Sequence, residues 1–184
     1  MLTCFARSMK SARYPPQTPG DPSDRSNALN YSIEPLPRHS HHIPDMSLAF
    51  HKEWAHLIPG KSVSDVEQSL RSRTNVDRLP VAFIAVEESG DWIGAVSLKE
   101  QDLEGREDLS PWLSSLFVRE AFRKQGIGAS LVAHACAFAQ GLGISELYLY
   151  TDRQELFYRK LGWTLVERRT HHPREISILR LGLT

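Results

Sequence analysis

The sequence predicts one α/β domain, on three observations. From about residue 31 short apolar runs alternate with helical patterns; the runs 81–86 and 92–98 flank a Gly-containing turn; and 126–140 carries an apolar stripe at four-residue spacing. Alternation of this kind is what layered α/β packing requires, because each element must bury one face against another. The length of 184 residues suits a single domain with a sizeable core.

Taken in order, residues 1–28 stand apart. Pro15, Pro16, Pro19 and Pro22 mix with Gly20, Asp21, Ser23 and Asp24, leaving little apolar surface to offset ordering entropy. A disordered N-terminal extension is expected there, with the working domain over 29–184. Residues 31–36 read as a strand ended by prolines. Phe50, Trp54 and Leu57 stand at i, i+4, i+7 within a helix over 45–58, stopped by Pro59-Gly60. A second helix, to about Arg73, is predicted to begin at Ser64, where Ser64 and Glu67 have the spacing of a capping box. The runs 81–86 and 92–98 form a hairpin, and 112–118 is a further strand after a polar segment. Ile127, Leu131, Ala135 and Ala139 give the next helix its buried stripe, with Gly141 and Gly143 as its stop. A strand over 144–150, a short helix over 153–161 and closing strands over 163–169 and 175–181 complete the chain.

Composition excludes several function classes. Lys and Arg total 22, as do Asp and Glu, so no global field draws the chain to nucleic acid or anionic lipid. No apolar run is long enough to span a bilayer. Cys4 and Cys136 have neither disulfide-framework nor zinc spacing, which suits a reducing, cytoplasmic compartment. His41-His42 and His171-His172 lack a third partner at ligand spacing, so no metal is expected.

The chemistry is concentrated in 116–128. A strand enters a basic turn that opens a helix, where unpaired N–H groups and the helix dipole favour a phosphate. Gly126 and Gly128 admit a pyrophosphate close to the backbone, with Arg123 and Lys124 beside it. The Walker A spacing is missing, and the third Rossmann glycine is replaced by Leu131.

Arg123-Lys124-Gln125-Gly126-Ile127-Gly128 resembles the Q/R-x-x-G-x-G/A motif of the GNAT (Gcn5-related N-acetyltransferase) superfamily, and Phe157-Tyr158-Arg159-Lys160-Leu161-Gly162-Trp163 is similar to that family's F-Y segment. The order of elements over 31–183 also fits. The resemblance implies a mixed, mostly antiparallel sheet of six to seven strands flanked by four helices. It implies acetyl-CoA as co-substrate, no metal, and direct transfer of the acetyl group to a primary amine of a small molecule or peptide N-terminus, by a monomer or homodimer. A noncatalytic acyl-CoA-binding module on the same fold is the alternative.

By the same resemblance, acetyl-CoA is expected on Arg123, Lys124, Gln125, Gly126, Ile127 and Gly128, with its pantetheine arm along Leu116, Phe117 and Val118. The N–H of Phe117 or Val118 would face the thioester carbonyl. Tyr158 takes the place of the general acid that protonates the departing thiolate. Thr151 stands where the family often has asparagine, Lys124 where it often has glycine and Glu120 where it often has proline. The base that deprotonates the amine is left open among Glu100, placed first, and Asp102, His51, His56 or a water chain. Trp54, Trp112, Leu57 and Pro59 are candidates for the acceptor mouth.

Overall fold

A computed structural model describes residues 29–183; the extension expected over 1–28 lies outside the described residues. Seven strands form one sheet in the order β1-β2-β3-β4-β5-β7-β6. They are β1 (Tyr31–Pro35), β2 (Val81–Glu87), β3 (Trp92–Lys99), β4 (Trp112–Val118), β5 (Glu146–Thr151), β6 (Thr164–His171) and β7 (Arg174–Gly182), with four helices: α1 (Ile43–Trp54), α2 (Val63–Arg71), α3 (Ile127–Gly141) and α4 (Glu155–Lys160). Every neighbouring pair is antiparallel except β4 and β5, so the sheet is mixed and mostly antiparallel, as expected.

The continuous apolar run of β2 is explained by burial on both faces. Val81, Phe83 and Ala85 pack under α3 with Leu131 and Ala135. Ala82, Ile84 and Val86 point the other way, onto Met46, Phe50 and Leu70 of α1 and α2. The two-residue period of a strand thus feeds two cores at once. At the sheet edge β6 alternates exposed and half-buried residues and carries Glu167, Arg168 and Arg169, which discourages pairing with another chain.

Two helix starts differ from the sequence reading. α1 begins two residues earlier than expected, after a 3-10 turn over Leu36–His42, and ends at Trp54, with 55–58 forming a turn. α2 is capped by Ser62: its side chain accepts from the Asp65 N–H while Asp65 accepts from the Ser62 N–H. The same spacing thus occurs two residues before Ser64, and Glu67 instead pairs with Arg71 across one helical turn. Among the described residues no helix is long and apolar enough to cross a membrane.

Candidate active site

The sheet opens where β4 meets β5. These strands pair at one register point, Trp112↔Tyr148. Beyond it, residues 113–118 of β4 and Tyr150 and Thr151 of β5 line a cavity of about 770 Å³. Neither strand edge has a partner strand along that stretch, so backbone donors and acceptors are left for a ligand.

A bulge in β4 shapes one wall. Between Ala95↔Phe117 and Ser97↔Ser114, two steps on β3 are matched by three on β4, and Ser115 takes up the extra residue at φ 54°. The bulge is pinned from below by Arg73, whose Nη1 donates to Ser97 Oγ and Ser115 Oγ at 2.9 Å each.

The opposite wall is the start of α3. After β4 the chain makes a 3-10 turn over Glu120–Phe122, and Lys124 then adopts φ 63°, a left-handed conformation that explains why glycine commonly stands there. Gly126 follows at φ 84° as the N-cap, with no side chain capping the helix. The first intrahelical bond falls on Ser130 N–H, to Gly126 carbonyl. The N–H groups of Ile127, Gly128 and Ala129 are therefore left over, and all three residues line the cavity. An added Cβ at Gly126 would meet nothing within 4 Å, so this opening is clear of protein.

The floor is aromatic. Tyr158 of α4 is buried and lines the cavity, its ring edge-on to Phe157 and Trp163 at 5.0 and 5.9 Å. Burial pushes its phenol well above the usual tyrosine range, so it stays protonated at neutral pH. Tyr150, to which the sequence assigned no site role, is pushed up likewise, by burial and then by Asp102 and Asp152.

Across the mouth, His56 Nε2 donates to Asp152 Oδ2 at 3.0 Å, both side chains lining the cavity. Further in, Lys99 is hydrogen-bonded to Asp102. The lining carries Lys61, Arg73, Lys99, Arg123, Lys124 and Arg153 against Glu53, Asp65, Asp102 and Asp152. This positive excess lies in a chain of zero formal charge.

Leu116, Phe117, Val118, Arg123, Lys124, Gly126, Ile127, Gly128, Thr151, Tyr158 and Trp54 are all brought to this one cavity. Gln125 is not; its amide donates to Ala121 carbonyl. Arg123 is committed to protein contacts, Nε to Val118 carbonyl at 2.9 Å and Nη2 to Glu53 at 3.1 Å. Thr151 Oγ1 accepts from the N–H groups of Arg153 and Gln154 and so turns β5 into α4. Glu100 does not reach the cavity: it is exposed just past β3, where the chain turns outward, while Asp102 returns to the wall. Trp112 is fully buried in a third core, its indole donating to Leu109 carbonyl, and Pro59 is exposed. Neither lines the mouth, whereas Leu57 does. His51 is not among the lining residues, and its Nε2 bonds the Lys61 carbonyl.

Residues 80–165, from β2 to the start of β6, match the family model described as an acetyltransferase (GNAT) domain. The chain carries a GNAT acetyltransferase domain. The GNAT fold extends past the matched segment, as solved structures show. An aminoglycoside 6'-N-acetyltransferase complexed with coenzyme A superposes with TM-score 0.64 at 19% identity, over 83% of this chain and 97% of that one. An acetyltransferase from Thermus thermophilus gives 0.61 at 19%, over 85% and 99%. A GNAT acetyltransferase from Streptococcus pneumoniae gives 0.61 at 14%, over 84% and 100%. No curated protein sequence matches the chain.

Proposed function

We propose that this GNAT domain is an N-acetyltransferase that passes the acetyl group of acetyl-CoA directly to a primary amine in a ternary complex. One observation carries the reading: the uncapped start of α3, the parting edges of β4 and β5, and the buried Tyr158 hydroxyl-bearing ring share a single cavity. The coenzyme A complex of the aminoglycoside relative, on the same fold, supports the choice of donor.

Acetyl-CoA would supply the activated thioester. The amides of Ile127, Gly128 and Ala129 suit its pyrophosphate, and Lys124 and the positive excess of the lining add attraction. The β4 edge at Leu116–Val118 would hold the pantetheine arm, with the N–H of Phe117 or Val118 polarising the thioester carbonyl. His56, oriented by Asp152, is the base we assign: it takes the proton the amine loses as the N–C bond forms. Tyr158 gives its proton to the sulfur as the C–S bond breaks, which matches a phenol held neutral by burial. The cysteine pattern fits a cytoplasmic enzyme.

Two measurements test this. Acetyl-CoA at about 100 times its Kd should add about 2.7 kcal/mol, roughly 5–11 °C in Tm for a domain of this size, and Gly126→Glu should abolish the shift. Acetyl-CoA with an accepted amine should release free CoA thiol. A shift without CoA release in any amine screen would leave a noncatalytic acyl-CoA-binding module; no shift at millimolar acetyl-CoA would refute the reading.

A further inference from the structure

Arg73 lines the cavity and is 6% exposed. Three of its N–H donors are used, two from Nη1 to Ser97 and Ser115 and one from Nη2 to Ser69, all on neutral hydroxyls. A guanidinium has five N–H donors. Nε is buried without a partner, and one Nη2 donor also remains. Among the described residues no carboxylate lies within ion-pair distance of Arg73, and Asp102, the acid whose charge it feels, is already bonded to Lys99. The serines explain how Arg73 braces the β4 bulge, but a hydroxyl does not balance a charge. A buried cation without a counter-charge is costly, and a planar guanidinium with donors to spare is the side chain best matched to a carboxylate.

We infer that Arg73 anchors a carboxylate of the acceptor, and that the acceptor is therefore a small amino-carboxylate such as a free amino acid. Ser115, bonded to Arg73, is two residues from Phe117 on the strand assigned to the thioester. Two residues of extended chain span at most about 7 Å and the bulge at Ser115 shortens that, so the Ser115 end of the anchor lies close to the assigned point of transfer. That spacing suits an amine and a carboxylate on one short molecule. A peptide N-terminus, whose nearest carbonyl is an uncharged amide, leaves Arg73 uncompensated.

The inference rests on the acetyl-transfer reading, and its test separates the two. CoA release is measured with the twenty L-amino acids and β-alanine, each beside its carboxamide, while the acetyl-CoA thermal shift is recorded in parallel. At least one amino acid is expected to be acetylated with kcat/KM about tenfold or more above its amide, as loss of a charge-assisted hydrogen bond implies. Arg73→Met should collapse that ratio toward one through KM, and Arg73→Lys, which keeps the charge but not the planar fork, should retain part of it, with the acetyl-CoA shift kept in both. A purely structural brace would instead lower both arms together and keep the ratio. Amides or other carboxylate-free amines accepted as well as the acids, or no turnover of any amino acid, overturns the inference while a retained shift keeps the donor assignment. Loss of the wild-type shift removes the donor assignment and the inference with it. The wild-type comparison stands even if Arg73→Met fails to fold.

Discussion

His56 and Asp152 join two parts of the chain that sequence order keeps far apart, the turn after α1 and the loop after β5, by a single 3.0 Å hydrogen bond. The Asp152 carboxylate accepts from Nε2, which leaves Nδ1 as the basic nitrogen. His56→Ala is expected to lower kcat by about 10²-fold or more, the usual contribution of a positioned base, with the acetyl-CoA thermal shift unchanged. Asp152→Asn, which offers an amide where the carboxylate stood, should fall between that variant and wild type. Steady-state kinetics of the two variants and their double mutant check this. Wild-type kcat in His56→Ala would remove the assignment.

Tyr158 and Tyr150 set an alkaline limit on stability. Both phenols are raised in the folded state above the ordinary value of 10, chiefly by burial, with Asp102 and Asp152 adding to the shift at Tyr150. Below pH 10 both are neutral in folded and unfolded chains and their contribution is complete. Above it the unfolded chain ionises first, so stability falls as pH rises toward the folded values. Tm should therefore drop steeply above about pH 10, and Tyr158→Phe should flatten the drop. The same variant should lose about 10²-fold or more in kcat at pH 8 while still binding acetyl-CoA.

How much of this was legible beforehand depends on whether a feature is local. The start of α3 could be read because Gly126 and the strand before it lie within a dozen residues, and the F-Y segment placed Tyr158. The strands followed from apolar period and turn chemistry, whereas their joining in one mostly antiparallel sheet was implied by the family resemblance. What stayed hidden is built from distant residues. His56 and Asp152 are 96 positions apart, and Arg73 meets Ser115 across 42. Nothing local distinguishes Glu100, which faces solvent, from Asp102, which lines the wall. Trp112 read as an acceptor-mouth aromatic because sequence cannot show that its indole is already spent on Leu109.

Cys136 on α3 is held in its neutral thiol form. Burial pushes its thiol up to about 11, so almost none is thiolate at neutral pH. In a Cys4→Ser background, native protein at pH 8 should react with a disulfide thiol reagent far more slowly than a small free thiol does, and at full rate once unfolded in guanidinium. Cys136→Ala should leave kcat unchanged. Fast labelling of native protein would show that α3 opens.

Gly94 links the core directly to the donor strand. A methyl group there would stand 2.9 Å from Phe117 carbonyl oxygen and 3.0 Å from Leu131 Cδ1. Backbone and a buried core side chain are the neighbours, so neither can swing away, and relief must come from β3, β4 and α3 separating. Gly94→Ala is expected to cost about 1–3 kcal/mol, roughly 2–12 °C in Tm. The displaced atom belongs to Phe117, on the edge assigned to the pantetheine arm, so KM for acetyl-CoA should rise in the same variant. Gly141→Ala, whose added methyl meets nothing within 4 Å near the end of α3, is the control and should leave both measurements near wild type. Thermal denaturation and KM determination on the pair decide it: equal behaviour of the two variants would mean that β3, β4 and α3 are not packed as closely as this contact requires.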